Sequence, residues 1–537
     1  MTKYPNTSIY EILKESCNKY NKKVAFIYSG IKISYSEFLN DIDICSNAFI
    51  KLGVKKNDVV TLISENTIEF ITCIYALNKL GVICNMIHPL SGEEEIKSSY
   101  INTNSSYLIV MDNQINRLNN IYKYINYNYI IYIPENKILS SIDKIKNIFK
   151  KTINILDNNF ISYTKFIDKG KYKNIRVKNK VSGNDNAFII STNNKNILLT
   201  NININASAIN FNSVGNYLID KRYLFDYSIS DGFGITAVHK ALLSGSKIIL
   251  VPDLVHKTIS NVILKYKPNV IECSTNVLNL IINNKKFNDK NLSYINFIIC
   301  SREKLNNNLK EKSISFFKKH NSNVVIKSTF GLKESTSNVS ITMNESIDSI
   351  GIPYPNIEIK VFDKELNECK DSQFGEICIT GPVIMKEYLN NSDKTNKVLI
   401  KHKDKKIWLH TNDLGYSDNK GIIYFKSSLK RVIISNGNEI YPSEIENIIL
   451  MHPYVQACSI VGVPHPYKKE VVKVYIVLKD RLVLNSEIKK SIKEYCEKNI
   501  SSYALPYAYA YRKELPKTIS GKISYQDLVS QKDEEEK

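Results

Sequence analysis

The most restrictive feature of this chain is an alternation in its first 110 residues. Helix-like strings that stop at a glycine exchange with short β-branched runs. In "SEFLNDIDICSNAFIKLG" the apolar residues recur at helical spacing and end at Gly53, and "DVVTLIS" is a strand-length run. "IEFITCIYALNKLG" is helical again and ends at Gly81, and "VICNMI" is a second strand. Strands joined through single helices predict a parallel sheet with helices on its faces, an α/β architecture. The alternation resumes at "AFIIST" and continues through "SGSKIILVP", "PNVIECST", "YINFIICS" and "NVVIKSTFG". A more β-like stretch follows at residues 349–381, with "IEIKVFD" and "GEICITG".

A chain of 537 residues exceeds what one hydrophobic core serves, so two or three domains are expected. After "GIIYFKSSLKRVIISNGNEIYPSEIE" a short α/β tail begins, which places a boundary near 428–430 and gives domains 1–427 and 428–537. Residues 113–181 crowd Asn, Lys, Tyr and Ile with weak periodicity and read as a variable excursion, partly surface loop. The opening "MTKYPNTSIYEILKES" is polar and reads as an amphipathic helix, not a signal peptide. No apolar run approaches the roughly 18 residues of a membrane span, so a cytoplasmic protein without a span is expected. Ten cysteines stand singly with no CxxC pair, most of them in apolar strings, and read as buried reduced thiols. The eight histidines lack HxxxH or HExxH spacing, which argues against a structural zinc site. The formal charge of +20 is dispersed, with no aromatic-interleaved basic stripe, so no nucleic-acid partner is expected.

Several segments, in order, resemble the adenylate-forming (AMP-binding) superfamily, and among its branches most resemble acyl-CoA ligases. "STFGLKEST" (residues 328–336) is similar to the family's aromatic-Gly-x-Thr-Glu segment. "IGIPYPNIEIKVFD" and "GEICITGPVIMKEYL" resemble the segments after it, and "WLHTNDLGYSDNKGIIYF" resembles its Trp-x-x-Thr-Gly-Asp stretch. "SNGNEIYPSEIE" and "LPKTISGKIS" resemble its two C-terminal motifs. The resemblance implies a large N-terminal domain of parallel sheets flanked by helices with a β-rich part, and a small mobile C-terminal α/β domain. It also implies ATP/AMP, Mg²⁺ and CoA or another pantetheine thiol as cofactors. The partner is then a carboxylic acid, a fatty acid among the candidates, with CoA or a carrier-protein thiol as acceptor.

By the same resemblance, Lys522 is the catalytic lysine that bridges the substrate carboxylate and the α-phosphate. Glu334 is the Mg²⁺ ligand, a hard oxygen for a hard cation. Phe330 packs on adenine with Thr329 and Gly331 beside it, and Asp413 accepts hydrogen bonds from the ribose hydroxyls. Lys430 falls at the hinge, Ser435, Asn436 and Gly437 line the thiol's path, and Cys300 and Ser301 stand in the acyl pocket. The alternative of a Walker A fragment at "SGKIS" fails: no Gly lies five residues before Gly521, and Ile523 stands where Ser/Thr is required.

The departures from the family fall on the catalytic apparatus. Where relatives have a Ser/Thr/Gly-rich phosphate loop ending in Pro-Lys-Gly, this chain has "FIISTNNKNILLTN". Lys195 then takes the loop lysine's place, in a loop shortened by about three residues and without a glycine for close approach to phosphates. Lys333 replaces a Thr, Asp226 a His, Cys300-Ser301 a Gly-Gly pair, Asn412 a Gly and Ser428 an Arg. Three readings follow. One is an active ligase in which Lys333 takes over part of the phosphate neutralisation. Another is a pseudoenzyme that binds nucleotide, acyl group or a partner without activating acids. The last is a half-enzyme that uses only preformed acyl-adenylate.

Overall fold

The computed structural model describes residues 3–118, 127–134, 159–171, 180–192, 195–251, 258–301, 305–343, 349–435, 438–465, 469–480, 482–518 and 523–530. They form two compact units, Met1–Ile359 with Cys378–Leu409, and Lys360–Ile377 with His410–Lys537. The chain passes between the units within three strands, Glu358–Phe362, Gly375–Thr380 and Ile407–Ser417. The boundary read from the sequence at 427/428 thus falls inside the second unit. The reason is local pairing: strand Ile407–Ser417 pairs with Ile423–Ser428 as far as Asp413↔Ser428. Lys426 in turn ion-pairs with Glu444, and its carbonyl accepts from Ser443 Oγ at 2.8 Å.

The alternation in the sequence becomes two sheets in the first unit. The nine-stranded sheet has a run of parallel strands in the order Val325–Gly331, Phe297–Cys300, Val270–Cys273, Arg222–Phe225, Lys247–Leu250, Val24–Tyr28. Antiparallel strands Asn338–Ile341 and Ile31–Ser34 extend it at either side. The eight-stranded sheet has Asn186–Thr192, Ile83–Met86, Val59–Ile63, Tyr107–Met111, Tyr129–Ile133 and Phe160–Ser162 in parallel. Its last two strands lie within the stretch read as a loop-like excursion. The run "YIIYIP" suits a buried strand by its sequence and forms one, whereas "FIS" is too short to mark a strand without a neighbour to pair with. Residues 119–126, 135–158 and 172–179 of that stretch lie outside the described residues.

The predicted helices form where their caps say. Tyr35–Lys51 begins with a capping box between Ser34 and Glu37. Ile68–Leu80 starts at Thr67 and stops at Gly81, whose φ of 74° is the left-handed conformation that ends helices. Helix Gly232–Leu243 is buried along nearly its whole circumference, the mark of a helix enclosed by other elements. It packs on Ile9–Lys19 and on Asn201–Ser213. The asparagines of "NININASAINFNS" are structural. Asn203 Nδ2 donates to the Pro382 and Ile384 carbonyls at 2.7 and 2.9 Å, and Asn205 Nδ2 donates to the Thr7 carbonyl at 3.1 Å. Asn205 Oδ1 faces His239 Nε2 at 3.0 Å, so the ring donates there while its Nδ1 accepts from Tyr75 OH at 3.0 Å.

The second unit contains an antiparallel sheet in the order Asn438–Ile440, Ile433–Ser435, Lys469–Leu478, Val455–His465, with Ala508–Tyr511 parallel to Lys469–Leu478. Helices Pro442–Leu450 and Ser486–Asn499 cover it through Ile445, Ile449, Ile488 and Ile492. All ten cysteines are buried thiols outside any disulfide, as their apolar surroundings in the sequence implied. Among the described residues no helix is long and apolar enough to cross a membrane.

Candidate active site

Lys195 is placed by strand pairing. It opens strand Lys195–Thr200, which runs antiparallel to Asn186–Thr192 from Asn186↔Thr200 to Thr192↔Lys195. Only Asn193 and Asn194, outside the described residues, separate the two strands. Backbone amides that would have to point at phosphates in a cradle are instead committed to the ladder right up to this connection. On the other edge of Lys195–Thr200 the short strand Glu387–Tyr388 pairs with Tyr388 opposite Ile197. Side chains two apart on a strand share a face, so Tyr388 and Lys195 are diagonal neighbours across the pair.

Glu334 arrives from a different sheet. Strand Val325–Gly331 ends where a Cβ on Gly331 would lie 2.0 Å from the Ser337 carbonyl oxygen, so no side chain fits there. The chain turns through Lys333–Ser335, held by Leu332 N–H donating to Ser335 Oγ at 2.9 Å. Ser337 N–H then donates to the Ser335 carbonyl at 2.7 Å across Thr336, whose φ of 68° and ψ of −55° make a γ-turn of the rare, strained hand. Thr336 Oγ1 donates to the Val383 carbonyl at 2.6 Å, and Met385 N–H donates to the Glu334 carbonyl at 2.8 Å. The segment that carries Tyr388 is thereby fastened to the turn that carries Glu334.

These three side chains meet. Lys195 Nζ lies 3.1 Å from Glu334 Oε1 and 2.7 Å from Tyr388 OH, and Tyr388 OH donates to the same Glu334 oxygen at 2.8 Å. The ammonium also stands 4.5 Å from the Tyr388 ring centroid. Burial alone would raise the Glu334 carboxyl. The Lys195 ammonium and the Tyr388 hydroxyl outweigh it and hold the group below the ordinary glutamate value. Burial and the adjacent carboxylate push the Tyr388 phenol far up, so it stays a donor. Glu334 is therefore an anion at neutral pH, and Lys195 a cation within reach of it. One carboxylate with a hard oxygen suits a Mg²⁺ that arrives with substrate phosphates, and does not suit an all-protein cage. Tyr388 escaped the sequence reading, although its segment "GPVIMKEYL" was among those singled out; nothing local marks that tyrosine apart from the pairing.

Around this cluster the other first-unit candidates sort by strand face. Thr329 Oγ1 lies 2.7 Å from Ser301 Oγ and 3.1 Å from the Cys300 carbonyl. Ser301 faces polar partners, whereas the adjacent Cys300 packs in the hydrophobic cluster with Ile298, Val277 and Leu278 on the other face. Phe330 and Gly331 are half-buried at the strand's end. Lys333 Nζ stands 4.0 Å from Asp231, which caps helix Gly232–Leu243 by accepting from Gly234 N–H. Asp226 Oδ2 accepts from Ser274 N–H at 2.9 Å and from Ser274 Oγ at 3.0 Å.

In the second unit, Asp413 lies on strand Ile407–Ser417, its N–H donating to Thr411 Oγ1 at 3.1 Å. Asn412 before it has a φ of 61°, so the position requires a left-handed backbone, which asparagine accepts in glycine's stead. Ser428 Oγ donates to the Asn412 carbonyl at 3.3 Å. The Lys430 backbone sits in the 3-10 turn Leu429–Arg431, and Ser435 ends strand Ile433–Ser435. Asn436, Gly437 and Lys522 lie outside the described residues. On either side of Lys522's segment, Lys517 and Ile523 form an antiparallel bridge, and Leu515 and Ile523 join a cluster with Val461 and Tyr475.

A family profile described as "AMP-binding enzyme" matches residues 13–389, and one described as "AMP-binding enzyme C-terminal domain" matches residues 444–522. A long-chain-fatty-acid–CoA ligase of Bacillus subtilis (strain 168) is 26% identical, the match covering 99% of this chain and 95% of the relative. A crotonobetaine/carnitine–CoA ligase of Proteus mirabilis (strain HI4320) is 26% identical, with 94% and 95% covered. The crystal structure of the anthranilate CoA ligase AuaEII in complex with anthranoyl-AMP has a TM-score of 0.85 at 19% identity, covering 98% of this chain and 97% of that one.

Proposed function

Because this chain belongs to the AMP-binding (adenylate-forming) enzyme family, we propose that it is an ATP-dependent acid–thiol ligase. A carboxylate oxygen attacks the α-phosphorus of ATP, pyrophosphate leaves, and an acyl-adenylate remains. A thiolate, from CoA or a carrier protein, then attacks the acyl carbon and AMP leaves. The first step crowds anions together, and the site has to supply positive charge where they meet. Lys195 supplies one such charge, and Tyr388 orients it and keeps Glu334 ionised. Mg²⁺, held by Glu334 together with the phosphates, would neutralise the departing pyrophosphate. Phe330 is assigned to adenine, Asp413 to ribose and Lys522 to the charge shared by carboxylate and α-phosphate. Residues 428–537 are assigned a hinge motion about Lys430 that exchanges the first step for the second, with residues 435–437 on the thiol's path.

The observation that carries this reading is the Lys195–Glu334–Tyr388 cluster. It gathers residues far apart in sequence into an ionised carboxylate and a cation on a shared hydroxyl. Relatives' names include both a long-chain-fatty-acid ligase and a crotonobetaine/carnitine ligase, so the family leaves the acid open. A second reading, a non-activating or half-reaction homologue, is favoured by the two-residue connection at Asn193-Asn194. Carboxylate-dependent ATP–pyrophosphate exchange over a panel of acids separates them. The ligase reading expects exchange with at least one acid and its near-complete loss in Lys522→Ala. AMP binding without exchange would favour the second reading.

A further inference from the structure

Helix Gly232–Leu243 and strand Val270–Cys273 bring two opposite charges together in the interior of the first unit. Lys240 Nζ lies 2.6 Å from Glu272 Oε2, and the side chains are 3% and 1% exposed. Glu272 also accepts from Tyr223 OH, and its other oxygen lies 3.4 Å from both Ser301 Oγ and Asn338 Nδ2. Asn338 Nδ2 donates to Ser301 Oγ at 3.1 Å, and Ser301 reaches Thr329, five residues before Glu334. The network therefore runs from the strand that carries the nucleotide candidates into the interior. At the helix's start a Cβ on Gly232 would lie 2.0 Å from the Thr336 carbonyl oxygen, beside the Glu334 turn. Eight residues of helical rise put Lys240 at most roughly 12 Å further along.

The carboxylate is surrounded by donors, but the network is not closed. Lys240 makes its hydrogen bond to Glu272 and lies 3.9 Å over the Phe211 ring, which takes no hydrogen bond of ordinary strength. Asn338 Oδ1 and Tyr354 OH are buried without a hydrogen-bond partner. Tyr354 belongs to the same neighbourhood: its ring meets Phe211 edge to face, and Glu272 adds to the burial that pushes its phenol up. A methyl-ended chain would leave these groups unsatisfied. The Lys240 and Glu272 charges cancel, so a second carboxylate or an ammonium in the acyl part would be buried unbalanced. A neutral donor would satisfy Asn338 Oδ1, and a neutral donor or acceptor would satisfy Tyr354 OH.

We propose that Lys240, Glu272, Asn338 and Tyr354 form the polar floor of the acyl site. The acid it takes carries a neutral hydrogen-bonding group, a hydroxyl or carboxamide, away from its carboxylate. This rests on the reading of the site as an acyl-activating centre, but its test does not require turnover. The full-length protein is titrated calorimetrically with two non-hydrolysable acyl-sulfamoyl adenosines of equal, medium chain length, one ending in a hydroxyl and one in a methyl. The hydroxylated analogue should bind at least about tenfold tighter, since a site built with polar groups rejects the analogue that leaves them unpaired. In the double variant Asn338→Leu, Tyr354→Phe, which removes both unsatisfied groups, the preference for the hydroxyl should be lost. Equal affinity, tighter binding of the methyl-ended analogue, or binding of neither by the unmodified protein overturns the proposal, whether or not the variant folds. Preference for the hydroxyl with no pyrophosphate exchange would sink the ligase reading alone. Exchange with the methyl-ended analogue preferred would sink this inference alone.

Discussion

At the scale of single residues, the site rests on one shared hydroxyl and the helix packing behind it on one imidazole that stays neutral. Tyr388 OH serves both Lys195 and Glu334, so Tyr388→Phe removes two hydrogen bonds while keeping the ring's packing. A hydrogen bond to a charged group contributes about 1.5–3 kcal/mol, and a loss of that size is expected in urea unfolding at pH 7. A change under about 0.5 kcal/mol, the size expected of an inconsequential surface substitution, would mean that the hydroxyl does not hold the cluster. His239 supplies a pH prediction. Burial pulls its pKa from 6.5 to about 3, so the folded state holds it neutral and the unfolded state protonates first. The unfolded chain then binds more protons between those values, and stability from this residue is present above pH 6.5 and is lost as pH falls towards 3. The slope is about 1.4 kcal/mol per pH unit. Urea midpoints between pH 6.5 and about 5.5, above the carboxylate range, should fall in the unmodified protein and fall less in His239→Gln. Parallel slopes would refute the assignment.

At the scale of elements, two short turns decide what the site can hold. The turn after Gly331 is fixed by contact: the Ser337 carbonyl excludes a side chain, and Thr336 sits in a strained γ-turn fastened to Val383. Strain of this kind persists only where its surroundings over-determine it, and here it aims Glu334. The connection between Asn186–Thr192 and Lys195–Thr200 has the opposite character, with two residues and ladder pairing up to its ends. If length and glycine are what a phosphate cradle lacks here, inserting Ser-Gly-Gly between Asn193 and Asn194 should tighten ATP binding by about tenfold, about 1.4 kcal/mol, and leave AMP binding as it was. An insertion that folds but gains no ATP affinity would show that the triphosphate does not depend on this connection. The glycine-less text was legible in the sequence. The hairpin it forms was not, because strand register depends on which residues face each other across the pair.

At the scale of the whole molecule, the sequence determined much. The alternation of glycine-stopped helices and β-branched runs specified parallel strands flanked by helices, since hydrophobic periodicity is a local property that a string of residues carries by itself. The ordered motifs specified the family and named Lys195, Glu334 and Ser301 as members of a site. They did not reveal Tyr388, which earns its position from pairing with a strand nearly two hundred residues earlier. Nor did they reveal the Lys240–Glu272 pair, although each is a single charge lodged in an apolar string, "AVHKALL" and "NVIECS". Such a charge tells only that a partner must exist, because an unpaired buried charge costs too much to keep. Which partner it has is set by the packing of helix Gly232–Leu243 against the nine-stranded sheet. Local periodicity and ordered motifs determined most of the elements and the family. Only the tertiary structure decided which charges meet, because electrostatic pairing acts through space and the chain's order does not record distance.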